Sequence, residues 1–367
     1  MAGFTYGLAR EADDAELRAL LARTPMPGEI SLAFLREPSF FAARRAGNEQ
    51  AETMVCRDAD SGELLGFGER SLRRAFVDGL EAPVGYLGML RGTIERRGGL
   101  GLARGYRYFH ELERARPLAP FYITTILEEN EYAISVLAGG RGGLPLYEPL
   151  GRFVTYLLPL RGRRARVHEV TEAADENELA EAVEALNDWN RRHQFAPAYR
   201  TDDLAGRTSL LPAFSWRDLT LVRERGRVLG TLGVWNQQSF KQTLVSGYAR
   251  WMQAARPVYN GLARLRGLPP LPAVGDKVAT VYGSFLSAAD DDQAVAGALV
   301  ERALERWSGQ GHDYLAIGLA EGHPLAPALE KPACRTLLSR IYAAYWPDAG
   351  VPGFDRSRLV QLETATL

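Results

Sequence analysis

The sequence predicts an α/β protein of the α+β type, built as two successive similar halves, each a mixed central sheet flanked by helices. Three observations lead there. At 367 residues the chain exceeds what one ordinary hydrophobic core organises, which argues for two domains. Its 46% hydrophobic and 24% charged content supports a packed core throughout and excludes a disordered chain. Third, the same order of strand-like and helix-like segments occurs twice, and self-similarity at long period is a statement about architecture.

Each half opens with a short strand, Phe4 to Ala9 and Val167 to Val170, followed by an acidic helix start. The first helices carry apolar stripes at helical spacing: Leu17, Leu20 and Leu21 in one, Leu179, Val183 and Leu186 in the other. Asp175 with Glu178 adds capping-box chemistry to the second. A hairpin comes next: Thr53 to Arg57 turning through Asp58–Gly62 into Leu64 to Gly68, and Leu219 to Arg223 turning at Gly226 into Val228 to Val234. Tyr122 precedes Glu129 by the interval at which Tyr314 precedes Glu321, marking a buried strand in each half. Phe153 to Leu158 and Ile341 to Trp346, both bracketed by Arg and Pro, predict another. The basic, apolar-poor stretch Arg161–Arg166 reads as the linker, giving domains of 1–160 and 166–367.

The segment richest in chemistry runs from a strand, Leu87 to Arg91, through Arg96-Arg97-Gly98-Gly99-Leu100-Gly101 into a helix marked by Leu102, Tyr106 and Phe109. Glycines where a strand turns into a helix let backbone N–H groups approach an anion at the positive end of the helix dipole. Arg96 and Arg97 add charge-assisted donors suited to a pyrophosphate or a 3′-phosphate. A Walker loop needs Gly-Lys-Ser/Thr and a dinucleotide site GxGxxG; neither is present here. In the second half, Val278 to Phe285 leads to a helix marked by Val295, Leu299 and Ala303. Asp290 to Asp292 stand at its start, where they repel a phosphate and cap the helix.

Arg96-x-x-Gly99-x-Gly101 after a strand resembles the Gln/Arg-x-x-Gly-x-Gly/Ala signature of the GNAT acyltransferase superfamily. The resemblance covers residues 4 to 160 and extends more weakly through the second half, implying tandem GNAT-like domains with a degenerate C-terminal copy. It implies that Met89, Leu90 and Arg91 hold the pantetheine arm of coenzyme A through backbone groups, and that Arg96, Arg97, Gly98, Gly99, Leu100 and Gly101 hold the pyrophosphate. Asn130, with Ala133 three residues on, resembles the family's Asn-x-x-Ala segment and joins the cofactor set. The sequence departs from the family at Arg91, at Thr93 and at Leu137, which stands where many members carry the tyrosine that protonates the leaving thiolate.

The implied chemistry is transfer of an acyl group, most simply acetyl, from acyl-CoA to a primary amine of a small molecule. That reaction needs a base for the amine and an acid for the thiolate. Glu128 and Glu129, at the end of a strand bordering the cleft, are the candidate bases; Tyr132 and Tyr147 are the candidate acids. The second domain, with the amide-rich segment Trp235 to Gln242 and the aromatic helix from Trp251, is expected to shape the acceptor site. Two other classes stay open: an acyl-CoA-binding regulatory protein without turnover, and an aminoacyl-tRNA-dependent transferase.

The charge balance, 44 Lys plus Arg against 45 Asp plus Glu, creates no overall positive field for nucleic acid or an anionic membrane. No apolar run approaches membrane-spanning length, and the N-terminus lacks a signal-peptide core, so a cytoplasmic location is expected. Cys56 and Cys334 form no disulfide framework, and both are expected to be buried. The five histidines show no ligand spacing, so no metal is predicted. A homodimer is compatible with the sequence.

Overall fold

The computed structural model describes residues 3–93, 100–140, 143–160 and 170–367. The expected linker Arg161–Arg166 and four residues of the glycine cradle, Arg96, Arg97, Gly98 and Gly99, lie outside the described residues.

The first half contributes strands β1 (Phe4–Leu8), β2 (Ile30–Leu35), β3 (Gln50–Asp58), β4 (Leu64–Val77), β5 (Leu80–Gly92), β6 (Tyr122–Leu127) and β7 (Leu146–Pro159). Its helices are α1 (Asp14–Arg23), α2 (Phe40–Arg44), α3 (Leu100–Ala115) and α4 (Glu131–Leu137). The second half contributes β8 (Val170–Glu172), β9 (Leu219–Glu224), β10 (Arg227–Trp235), β11 (Gln242–Tyr248), β12 (Thr280–Ala288), β13 (Tyr314–Ala320) and β14 (Arg335–Tyr345). With it come α5 (Glu176–Asn190), α6 (Thr201–Leu204), α7 (Arg250–Leu265), α8 (Gln293–Trp307) and α9 (Ala326–Leu329).

The mixed sheet flanked by helices that the sequence predicts is present, and the strands of the two halves join in one continuous twelve-stranded sheet in the order β1-β3-β4-β5-β6-β14-β7-β13-β12-β10-β9-β8. Read inward from either edge, the chain order is the same, except that each half's last strand lies beside the other half. β14 pairs with β6, β7 pairs with β13, and β14 and β7 pair antiparallel at the centre. Each last strand gains two neighbours this way, which satisfies its backbone groups on both edges. β2 and β11 make a second, two-stranded sheet that joins the halves.

Side-chain alternation assigns the helices to faces. On β14, Tyr342 and Ala344 pack toward α3 and α4, whereas Ile341 and Ala343 pack with Tyr86, Phe153, Phe354 and Leu362 on the opposite face. α8 inserts Val295, Leu299 and Ala303 against β10, β13 and β7. α1 buries Leu17, Leu20 and Leu21 against Val55, Leu64 and Phe67. α5 buries Leu179, Val183 and Leu186. Asp175 caps α5 by accepting from the N–H groups of Asn177 and Glu178. Asp292 caps α8 in the same way, while Asp291 accepts from the Trp189 indole and pairs with Arg192.

Cys56 is buried and Cys334 only half-buried, so the expectation of a buried Cys334 is corrected. Trp235 and Gln237 are fully buried, and Gln237 and Gln242 hydrogen-bond the carbonyls of Ala365 and Glu37. These amides hold the chain's last residues and the β2–β11 arm in place, because a buried amide left unpaired costs more than its hydrogen bond gains.

Candidate active site

β5 and β6 are parallel neighbours for only two residue pairs, Gly85 with Tyr122 and Tyr86 with Ile123. Beyond Tyr86 they diverge. There β5 slips register against β4 between Phe67 and Glu69, and Met89 takes a left-handed φ of 55°. A non-glycine residue in that region is uncommon and marks a local constraint. The outer edge of β5 from Leu87 onward therefore has no strand partner among the described residues, and such an edge can pair with an extended ligand.

Met89 packs against the α1 core, Leu90 is exposed, and the Arg91 guanidinium donates to the Leu90 carbonyl. Burial, with repulsion from Arg36 added, pushes the Arg91 guanidinium down to about 10. α3 starts at Leu100, a few residues past the end of β5, and the Gly101 carbonyl accepts a 2.8 Å hydrogen bond from the Tyr6 hydroxyl. The strand and the helix thus stand in the predicted order, with the helix N-terminus at Leu100 following the diverging strand.

Around this wedge the predicted side chains divide. Glu128 follows β6 directly and is held by Arg152 at 2.9 Å and Arg340 at 3.2 Å; the Arg152 hydrogen bond keeps its carboxyl below the usual range. Glu129 is exposed beside Gly28 at the start of the β2 arm. Asn130 is the N-cap of α4, its Oδ1 accepting from the Ala133 N–H at 3.1 Å. Tyr132 lies in the first turn of α4 and is 54% exposed. Tyr147 lies on the α3 and α4 face, its hydroxyl 2.9 Å from that of Tyr106. Burial pushes the Tyr147 phenol well above its ordinary value and Tyr106 up to about 12. Both remain proton donors at neutral pH.

The opposite face holds groups that sequence reasoning missed. A cavity of about 50 Å³ sits at the apex of the wedge, lined by Gly85, Tyr86, Ile123, Arg73, Tyr199 and Glu363, among others. The Tyr86 hydroxyl is 2.9 Å from Thr125 Oγ1, and Arg73 stacks over the Tyr86 ring at 3.8 Å. Glu363 is surrounded by protein, which pushes its carboxyl up to about 7, although its Oε2 accepts the Phe285 N–H at 3.1 Å. Lys241 donates to the Leu367 carbonyl at 3.0 Å, and burial pushes its ammonium down to about 7. Lys241 belongs to the amide-rich segment already noted; Glu363 lies in a stretch without periodicity, and no sequence signal marks it.

The second half repeats the wedge and closes it. β12 and β13 are parallel from Thr280 to Tyr282, and Phe285 takes a left-handed φ of 61° next to a register slip on β10. Here the chain's own C-terminal segment crosses the divergence. Gln361 accepts from the Ala320 N–H and donates to the Gly318 carbonyl, and Glu363 accepts from Phe285.

Neither protein-family models nor curated protein sequences match this chain. Solved structures do. The fold is similar to N-myristoyltransferase of Saccharomyces cerevisiae with bound myristoyl-CoA, at a TM-score of 0.60 and 9% identity over 94% of this chain and 83% of that one. A structure of the yeast enzyme with myristoyl-CoA and inhibitors matches at a TM-score of 0.57 and 10% identity, over 99% and 87% of the two chains. A GCN5-related glucosamine N-acetyltransferase region of a fungal multi-domain GH3 β-N-acetylglucosaminidase matches at 0.58 and 12% identity, over 94% of this chain and 38% of that one. At these identities the likeness is one of fold, a large mixed sheet flanked by helices shared with GNAT-like N-acyltransferase structures.

Proposed function

We propose that this chain is an acyltransferase that moves an acyl group, most simply acetyl, from acyl-CoA to a primary amine of a small molecule. The observation that carries the reading is the divergence of β5 from β6 at Tyr86, with the left-handed bulge at Met89 and a helix N-terminus following the glycine segment. The free edge at Met89, Leu90 and Arg91 takes the pantetheine arm, and Arg96 to Gly101 take the pyrophosphate. The second wedge is crossed by residues 361–363, which supports a single cofactor site per chain. In the same reading residues 1–160 form the cofactor domain and 166–367 the domain that shapes the acceptor site.

In the reaction the amine nitrogen loses a proton and attacks the thioester carbonyl, a C–N bond forms, the C–S bond breaks, and the thiolate takes a proton. Glu128 is committed to two arginines, which leaves Glu129 at the mouth and Glu363 at the apex cavity. A carboxyl near 7 is matched to taking an amine proton at neutral pH, so the base is assigned to Glu363, with Glu129 positioned to meet the incoming ammonium. The Tyr147 hydroxyl, kept protonated by burial and paired with Tyr106, is the acid.

Calorimetric titration of acetyl-CoA and longer acyl-CoAs into the wild type and a Gly99→Glu/Gly101→Glu variant tests the cofactor site. Binding lost in the variant supports the assignment, and amine-dependent thiol release then separates a transferase from a non-catalytic acyl-CoA-binding protein. A wild type that binds no acyl-CoA sinks the proposal.

A further inference from the structure

Helix α7 is oriented against the usual rule for a surface helix. Its polar residues face the protein: Arg256 and Asn260 donate to the Leu271 carbonyl, and Asn260 also accepts from the Leu271 N–H at 2.8 Å. The Tyr259 hydroxyl accepts from Arg335. Its large apolar residues face outward. Trp251 is 59% exposed, Val258 69%, Leu262 49% and Leu265 86%, and their spacing of seven, four and three residues aligns them in one stripe. A solvent-facing apolar stripe of this size is a contact surface in a stable protein.

The charges around the stripe indicate what covers it. From Ala249 to Gly275 the chain has four arginines and no aspartate or glutamate. Arg256 is turned inward, while Arg250, Arg264 and Arg266 are exposed and make no ion pair among the described residues. A second copy of the same helix would bring like charges together with no acid to answer them. An anionic surface is complementary to both the charge and the apolar stripe.

We infer that α7 is an interfacial helix that seats on an anionic lipid surface. Trp251, Val258, Leu262 and Leu265 enter the boundary between headgroups and acyl chains, and Arg250, Arg264 and Arg266 meet the lipid phosphates. The chain's net charge of −1 hides this segment, because the acids that balance its arginines lie elsewhere in the sequence. No helix among the described residues is long and apolar enough to span a membrane, so the contact is peripheral. Its place in the fold matters too. Tyr259 holds Arg335 at the start of β14, and Ser339 of the same strand pairs with Leu127 at the end of β6. The helix therefore contacts the sheet at the end where β6 finishes, the end toward which the β5–β6 wedge opens.

The test is co-sedimentation of the full chain with vesicles of phosphatidylcholine alone and of equimolar phosphatidylcholine and phosphatidylglycerol. The wild type is expected to sediment with the mixed vesicles and far less with the neutral ones, and added salt is expected to release it. Arg264→Gln/Arg266→Gln lowers the partition coefficient about 30-fold, and Val258→Gln/Leu262→Gln abolishes sedimentation. All four positions are exposed, so both variants keep the wild-type thermal melt, which serves as the folding control. A wild type that stays in the supernatant overturns the inference, as do variants that sediment like the wild type. A wild-type dimer without lipid that Val258→Gln/Leu262→Gln converts to monomer overturns it as well, assigning the stripe to a second copy. None of these outcomes depends on acyl-CoA binding.

Discussion

Replacing Glu363 with Gln isolates one half-buried carboxyl that lines the apex cavity. Glutamine keeps the shape and an oxygen to accept the Phe285 N–H, and it removes the charge. The folded-state carboxyl titrates at about 7, against 4.5 unfolded, and burial is the first cause of the rise. The folded state therefore favours the protonated form, so this group's contribution is fully present below pH 4.5 and is lost as pH rises through 7. At about 1.36 kcal/mol per pH unit, the full loss is about 3 kcal/mol, most of it between pH 5 and 7. Glutamine cannot ionise, so Glu363→Gln avoids this loss. Denaturant unfolding of both proteins at pH 5, 7 and 8.5 measures the difference, and all other titrating groups cancel in the comparison. The variant is expected to gain about 2 kcal/mol on the wild type between pH 5 and 8.5. A difference that stays constant with pH, or that shrinks as pH rises, refutes the placement of an ionisable carboxyl in a desolvated site. If Glu363 is also the base, the variant loses about 100-fold or more in kcat/KM and the limb near pH 7 disappears from its profile.

The remaining predictions concern other parts of the fold. A Cβ on Gly318 would overlap Thr364 and the Phe153 ring, so Gly318→Ala is expected to cost about 1–3 kcal/mol and to increase proteolysis of the C-terminal segment. An unchanged denaturation midpoint would contradict the close packing there. His323, buried and stacked on His193 with ring centroids 5.1 Å apart, is pushed down to about 4 by burial and then by its neighbour. Its contribution to stability is complete above about pH 6.5 and lost as pH falls toward 4, so between pH 7.5 and 4.5 the wild type should lose on the order of 2 kcal/mol more than His323→Gln. Equal acid sensitivity of the two proteins, read by chemical denaturation, would count against a neutral buried ring. Tyr147→Phe is expected to lower thiol release about 100-fold without changing acyl-CoA affinity, whereas Tyr106→Phe, which removes only the partner hydroxyl, should cost much less. Equal losses in both would make the pair structural.

Much of the local structure was legible because it depends on residues close in sequence. The stripes Leu17, Leu20, Leu21 and Leu179, Val183, Leu186 specify helices through a 3.6-residue period, and Asp175 caps α5 through its own neighbours. The strand through Leu87 to Arg91 and the helix marked by Leu102, Tyr106 and Phe109 were readable for the same reason, as was the matching order of elements in the two halves. Cys334 was misjudged because burial depends on what arrives from elsewhere in the chain. Glu363 had no local signal at all; its desolvation comes from β12 and the apex cavity.

The sequence by itself determined the strands of the large sheet, the order in which they recur, and the helices α1, α3, α5 and α8, but not the β2–β11 arm. Tertiary structure alone decided that β14 and β7 change places to make one sheet, that residues 361–363 close the second wedge, and that α7 turns its arginine inward and its tryptophan outward. Periodicity records which face of an element is apolar. What that face meets is chosen only when distant backbone edges, carbonyls and charges find partners together.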